Sequence, residues 1–373
     1  MVNAMKKIQK RNLIVILLSL ALLSVTKQPV HANSADQEGP PYRYYFPLIF
    51  SNNTQPALSD YYTTSWYMTP QNVGRTYQMG CEEGRKTSEL PGIQDSLVIL
   101  DYGQPWSDGI QFGTLLLREP RYDLNSTNDI IIYTKNYING YMACSDGVSK
   151  IDVGIGTTNF AYYINGVCTQ ASWYCTEERA YAHGSAWAEM VRTVYNWVIT
   201  SGYGARVKVS GATDIELSWN YAHISNKWVE GFDAHDNNQV IFYNFGTCDG
   251  CPTRLSPNPN PDLVYDWTFP LVHYAAWRAA PAWPIPEIYA ISGINARQWA
   301  YLSKWGTEQG YSRMQFLSAF TQYQACLSTP GDTLCPLLNN TPQQARQQLL
   351  TETNFWPQTA LTNIPWMTDI DWP

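Results

Sequence analysis

The sequence predicts an α/β fold in which a parallel sheet closes into a (β/α)8 barrel of the TIM type, irregular or short of one strand. Three observations carry this expectation. Apolar runs of strand length recur along the chain, and several are unbroken, as in strands buried on both faces. Stretches with helical spacing fall in several of the gaps between them. No period of about 20 to 50 residues repeats, which argues against a solenoid or propeller. An open doubly wound sheet is the alternative. It would need Gly-x-Gly-x-x-Gly entering a helix, and the nearest stretch, GIGTTN at 154–159, ends in Asn and leads into more apolar sequence.

The first 32 residues read as a secretory signal peptide. Lys6, Lys7, Lys10 and Arg11 precede the apolar or small run Leu13 to Val25, and Val30 and Ala32 offer small residues before a cut. The run is too short to span a bilayer, which takes about 20 residues. No later stretch is long and apolar enough, so no stable membrane insertion is expected after cleavage. Removing the leader removes five basic residues and no acidic one, taking the formal charge from −7 to −12. Such an acidic chain is a poor partner for nucleic acid, which needs clustered Lys and Arg. Residues 33–60 read as a tether rich in Pro, Ser and Asn, carrying the aromatic strip YRYYFPLIF at 42–50. Residues 61–373 are read as one barrel domain.

Within that domain YYTTSWYM (61–68) supplies a candidate strand, and DSLVILDYG (95–103) is a buried one ending in Asp101. STNDIIIYTKNYINGY (126–141) reads as a helix capped by Ser126 or Thr127, with Asp129 in its first turn. KIDVGIGTTNF (150–160) is the next strand. SAWAEMVRTVYNWVITSGYG (185–204) is the clearest helix, with Ser185 as its cap and Gly202 at its end. RVKVSGATDIE (206–216) is a strand, and HISNKWVEGFDAHD (223–236) reads as a polar loop. QVIFYNFG (239–246), FPLVHYAAW (269–277), PEIYAIS (286–292) and MQFLSAFTQ (314–322) read as strands. NARQWAYLSKWG (295–306) and TPQQARQQLLTET (341–353) read as helices.

Eight cysteines in an exported chain point to disulfides rather than metal. Proximity pairs Cys168 with Cys175, Cys248 with Cys251 and Cys326 with Cys335, leaving Cys81 for Cys144. His183, His223, His235 and His273 are scattered and form no zinc motif. No metal and no cofactor are expected.

In a barrel the chemistry sits at the C-terminal ends of the strands. The acids there are Asp101, Asp214, Glu216 and Glu287. Asp214 and Glu216 stand at i and i+2 on one strand, so both project from one face about 6–7 Å apart. Paired acids repel, and burial raises a carboxyl pKa further. Glu216 is therefore read as a carboxylic acid able to protonate a leaving oxygen, with Asp214 ionised beside it. Alternatively, both acids form ion pairs with Arg206, Lys208 or Arg278. Glu287 is either a nucleophile partnered with Glu216 or a helix–loop ion pair. Asp101 is either catalytic or a hydrogen-bonding mouth residue. With 15 Trp and 26 Tyr, the chain has rings to spare for sugar faces. The candidate substrate contacts are Trp106, Asn159, Trp219, Asn244, Trp277, Tyr289 and Gln322.

GIGTTN, WAEMV, GATDIELSWN, YNFGTCDGCP, PEIY and ARQWAYLS, followed by a Phe-x-x-x-x-Thr-Gln strand, occur in this order. Over about 95 to 355 the chain resembles a family of secreted bacterial proteins of unassigned activity with a glycoside-hydrolase-like barrel. The Asp-x-Glu is similar to the strand-end motif of barrel-type muramidases and of chitinases. That resemblance implies Glu216 as proton donor and Asp214 as the residue that positions a substrate N-acetyl group. The further upstream aspartates of chitinases are replaced here by Val209 and Ala212. The expected protein is a monomer, secreted or held at the cell envelope, whose partner is a polysaccharide or cell-wall glycan. A glycan-binding barrel without catalysis and a cell-surface scaffold are the other two readings.

Overall fold

The computed structural model describes residues 61–69, 73–116, 124–164, 167–168, 173–259, 261–328 and 335–373. The leader, the tether and the 42–50 strip lie outside the described residues. Eight strands form one all-parallel sheet: β1 (Thr63–Tyr67), β2 (Ser96–Asp101), β3 (Ile151–Thr158), β4 (Val207–Asp214), β5 (Phe242–Asn244), β6 (Ala282–Pro284), β7 (Ser318–Thr321) and β8 (Trp366–Asp371). They run in chain order around the sheet from β1 to β6, and β8 returns beside β1 with β7 on its far side. Helices α1 (Val73–Glu89), α2 (Thr127–Cys144), α3 (Glu177–Thr200), α4 (Ala222–His235), α5 (Phe269–His273), α6 (Ile294–Glu308), α7 (Tyr323–Leu327) and α8 (Pro342–Thr353) fill the crossovers. The result is a nearly closed (β/α)8 barrel, and the open doubly wound alternative is overturned.

The seam lies between β6 and β7, where Glu287 bridges to Phe320 in parallel sense. Ile288 N–H donates to Phe320 O at 2.9 Å and Phe320 N–H donates to Pro286 O at 3.0 Å. Closure therefore rests on the few residues that follow Pro284, a short strand that cannot donate from its proline. At the β1/β2 pair the ladder covers only Trp66–Leu100 and Tyr67–Asp101. Below it hydroxyls take over: Thr63 Oγ1 donates to Leu97 O, and Ser65 Oγ accepts from Ile99 N–H at 2.8 Å.

The apolar runs of β2 and β3 are buried along their whole lengths, as their unbroken hydrophobicity requires. Helix α2 begins at Ser126, whose side chain accepts from Asp129 N–H while Asp129 reaches back, a capping box. Thr341 and Gln344 make the same device at α8. Helix α1 lies against α2 through Gly80 and Gly140. A Cβ at Gly80 would run into Tyr137 O, and one at Gly140 into Tyr77 O, so only glycine permits this approach.

Several sequence expectations are corrected. The 269–277 segment is helical: α5 starts with Pro270 in its first turn and runs into a π-helical turn, Tyr274–Arg278. The strand there is instead Ala282–Pro284, and 286–292 contributes only the bridge at Glu287. Helix α3 starts eight residues before Ser185, capped by Thr176, and Ser185 Oγ bonds Tyr181 O within the helix. The polar-looking 223–236 stretch is helix α4, which buries Ile224, Trp228, Val229 and Phe232 against the barrel. The chain has four disulfides: Cys81–Cys144 joining α1 to α2, Cys168–Cys175, Cys248–Cys251 and Cys326–Cys335. No helix of the described residues is long and apolar enough to cross a membrane.

Candidate active site

Strand β4 ends at Asp214, and the chain then turns through Ile215–Asn220 before α4. Asn159, buried just past the end of β3, holds this turn from both sides. Its Oδ1 accepts Glu216 N–H at 3.1 Å, its Nδ2 donates to Glu216 O at 3.0 Å, and its own N–H donates to Asp214 O at 2.9 Å. A side-chain amide offers the donor and acceptor that a missing strand neighbour would have supplied. Glu216 is thus fixed one step beyond the sheet, at the C-terminal mouth. Its carboxylate accepts from Thr247 Oγ1 at 2.7 Å, and Thr247 belongs to the loop after β5.

Glu287 arrives at the same point from the seam. Its N–H donates to Gly246 O, and its carboxyl accepts from Tyr289 O–H at 2.6 Å. The carboxyls of Glu216 and Glu287 hydrogen-bond each other, with Glu287 the donor. Asp214, Glu216 and Glu287 each place a carboxylate oxygen within 4.8 Å of the others'. Among the described residues this is the only group of three or more His, Cys, Asp or Glu so close, and three such oxygens are also a donor set for a hard divalent cation. Asp101 joins the cluster from the end of β2. Its Oδ1 accepts Gly103 N–H, while Asp101 Oδ2 and Asp214 Oδ1 are buried without a hydrogen-bond partner.

Burial sets the protonation of this group. Desolvation, then the charges of Glu216 and Asp101, push Asp214 well above the usual carboxylate range. Desolvation, then Asp214 and Glu216, do the same to Glu287. Asp101 is raised by burial to about 7. Glu216, also raised by burial but held down by the bonds from Thr247 and Glu287, rises only to about 6. No lysine or arginine is among the groups that shift these four. The expected order of the strand-end pair is therefore reversed: Asp214 keeps its proton more firmly than Glu216. Glu216 is also the only one of the four that is not fully buried.

The ion-pair alternatives are overturned. Arg206 bonds Ser145 and Ser149 and faces Asp146, Lys208 pairs with Asp152 at 3.1 Å, and Arg278 lies over the rings of Tyr274 and Tyr311. Glu287 likewise faces acids and a phenol rather than a base.

Of the predicted substrate contacts, Tyr289 lies in the cluster, and Asn159 serves the Glu216 backbone. Trp219 sits on the turn after Glu216, half-buried, edge-on to Phe160. Trp106 is half-exposed on a small antiparallel sheet inserted after β2. Asn244 spends its side chain on Ala275 O and Gly246 N–H, and Gln322 reaches Leu338 O. Trp277 is brought elsewhere. It precedes β6, is buried against Trp283, and donates to Ser312 O on the segment leading into β7, so it lies toward the opposite end of the barrel.

Sequence reasoning missed Tyr67 and Thr247. Tyr67, the last residue of β1, is raised well above its ordinary pKa by burial and by Glu287, Asp214 and Asp101, and it shares a hydrogen bond with Tyr289. Thr247, three residues past β5, was legible only as a polar strand-end residue. No protein-family model matches the chain, and no curated protein matches it either.

Proposed function

We propose that this chain is a secreted glycoside hydrolase acting on an N-acetylated polysaccharide such as peptidoglycan. Glu216 is its general acid and Asp214 positions the substrate's N-acetyl group. The observation that carries the reading is the contrast inside the mouth. Four carboxyls cluster where Lys and Arg side chains are not among the groups that shift them, and the one that reaches solvent has its pKa pushed by burial to about 6. A proton held near the working pH on an accessible acid is what glycosidic cleavage requires.

Glu216 gives its proton to the glycosidic oxygen as the C1–O bond breaks, and the bonding pair leaves with the alcohol. The acetamido carbonyl oxygen closes on C1, while Asp214, whose Oδ1 lacks a partner, accepts the acetamido N–H. Water then adds to C1, its proton passes to the Glu216 carboxylate, and the acetamido group is restored. Tyr289 O–H holds Glu287, and Glu287 in turn holds Glu216. A second reading is favoured by the Glu216–Glu287 contact: Glu287 passes its proton to the Glu216 carboxylate and then, ionised, attacks C1 as Glu216 protonates the glycosidic oxygen and the C1–O bond breaks. Their oxygens, within 4.8 Å, are far closer than the roughly 6.5–9.5 Å that an inverting pair needs.

Export is part of the proposal, since four disulfides suit an oxidising compartment. NMR of the freshly released sugar anomers is the test. Both readings require retained configuration, and inversion overturns both. A covalent label on Glu287 from a 2-fluoro glycoside selects the second. Binding of polysaccharide without release makes the chain a glycan-binding barrel instead.

A further inference from the structure

Three consecutive strand-to-helix loops bring tyrosines to one place on the same face of the barrel as the carboxyl cluster. Tyr163 comes from the loop after β3, Tyr221 from the residue before α4, and Tyr265 from the loop after β5. Their ring centroids lie 4.9 Å (Tyr221–Tyr265), 5.3 Å (Tyr163–Tyr221) and 5.9 Å (Tyr163–Tyr265) apart. All three are half-buried, and exposed His223 extends the group at 5.6 Å from Tyr221. Loops that meet on this face of a barrel are where substrate is held.

The backbone marks the same spot. Among the described residues only Asn237, Asn238, Tyr265 and Asp266 combine a side chain with left-handed φ. Asparagine tolerates that conformation, whereas an aromatic residue does so at a steric cost. Tyr265, at φ 49° and ψ 42°, is held there because Trp267 two residues on is buried and its Nε1 donates to Asn220 O. Strain of this kind persists where the placement of a side chain matters.

Asn220 also ties the rings to the acid. Its Oδ1 accepts Tyr163 O–H at 2.7 Å, and its Nδ2 donates to Asn159 O at 3.1 Å; Asn159 is the residue that clamps Glu216. The patch and the proton donor are thus fixed to one buried hub.

We infer that Tyr163, Tyr221 and Tyr265 form a subsite for an uncharged pyranose ring of a polysaccharide, next to the position where Glu216 would cleave it. This rests on the hydrolase reading of the mouth and adds to it the place and chemistry of a neighbouring sugar. Aromatic faces cover the apolar C–H face of a pyranose, and phenol hydroxyls meet its rim. Asp266 is exposed beside the patch on an acidic chain, which turns away uronate and sulfated polymers.

The test uses the full mature chain carrying Glu216→Gln, titrated with chitin hexasaccharide and, separately, with an alginate oligomer. The hexasaccharide is expected to bind and the alginate oligomer not. Tyr221→Ala and Tyr265→Gly are each expected to weaken hexasaccharide binding about tenfold. Tyr265→Gly removes the strained φ, so its Tm should be unchanged or higher, which separates lost binding from lost fold. Unchanged affinity in both variants, equal binding of the alginate oligomer, or no hexasaccharide binding at all overturns the inference. Reducing ends released by the wild-type chain are measured in parallel. Tyrosine-dependent binding without release keeps the subsite and sinks the hydrolase reading, whereas release with tyrosine-independent binding does the reverse.

Discussion

The two ends of the barrel treat buried acids in opposite ways. Near the N-terminal ends of the strands Asp152 is buried, and Lys208 sits 3.1 Å from it while Tyr243 O–H and Ser210 Oγ donate to it. Arg206 faces Asp146 close by, at 3.9 Å. At the C-terminal mouth the partners of Asp101, Asp214, Glu216 and Glu287 among the described residues are hydroxyls, backbone N–H groups and one another. One end sets bases against its acids; at the other, burial raises the carboxyl pKa values instead. A base locks charge in place and serves stability; a proton can be handed over. The difference separates the part of the barrel that holds the fold from the part available for chemistry.

Breaking the paired end should have the largest effect on stability. Lys208→Ala leaves Asp152 buried beside two hydroxyls and no cation, which should cost about 3 kcal/mol in urea denaturation. A loss near zero would show that the hydroxyls alone carry Asp152, and the contrast between the ends would shrink.

The mouth should respond to pH instead. Asp101 ionises near 7 in the folded chain and in the ordinary carboxylate range when unfolded. The folded chain therefore keeps a proton that the unfolded chain has released. Its contribution is fully present below about pH 4 and is lost as pH rises through about 7. Asp101→Asn should abolish that part of the loss, leaving the variant more stable than the wild type at about pH 8 but not at about pH 5. Identical pH profiles for the two chains would remove Asp101 from the account.

A smaller change sharpens the assignment within the cluster. The Thr247 hydroxyl stabilises ionised Glu216 and lowers its pKa. Thr247→Val keeps the shape and removes the donor, so the alkaline limb of the pH–rate profile should move upward by about one unit. A limb that stays put would mean that another acid sets it.

How far the sequence anticipated this division follows from what each residue packs against. Strands β2, β3 and β4 were legible because runs such as SLVILD are buried on both faces. β8 escaped notice because WMTDID buries Thr368 and Asp369, which serve Ser65, Thr321 and the first turn of α7. Polar residues facing inward erase the pattern that periodicity relies on. Helix α4 was hidden the same way: Ile224, Trp228, Val229 and Phe232 have helical spacing, but the charged residues between them read as a loop. FPLVHYAAW misled in the other direction, since a short apolar run fits a strand or a buried helix equally well. At the site, Asp214 and Glu216 stood out because acids are rare at the end of an apolar strand. Tyr67 and Thr247 did not, because their meaning comes only from the closure of the sheet, which brings β1, β5 and the seam at Glu287 around β4.

Glu216 is proposed as the proton donor of this mouth. The most direct test is the rate of reducing-end release from peptidoglycan and N-acetylated polysaccharides by the mature wild-type chain and by Glu216→Gln at about pH 5, where the acid is protonated. Measurable release by the wild type is expected, with a fall of at least about a hundredfold in the variant and the fold retained. Release by Glu216→Gln at the wild-type rate would contradict the proposal.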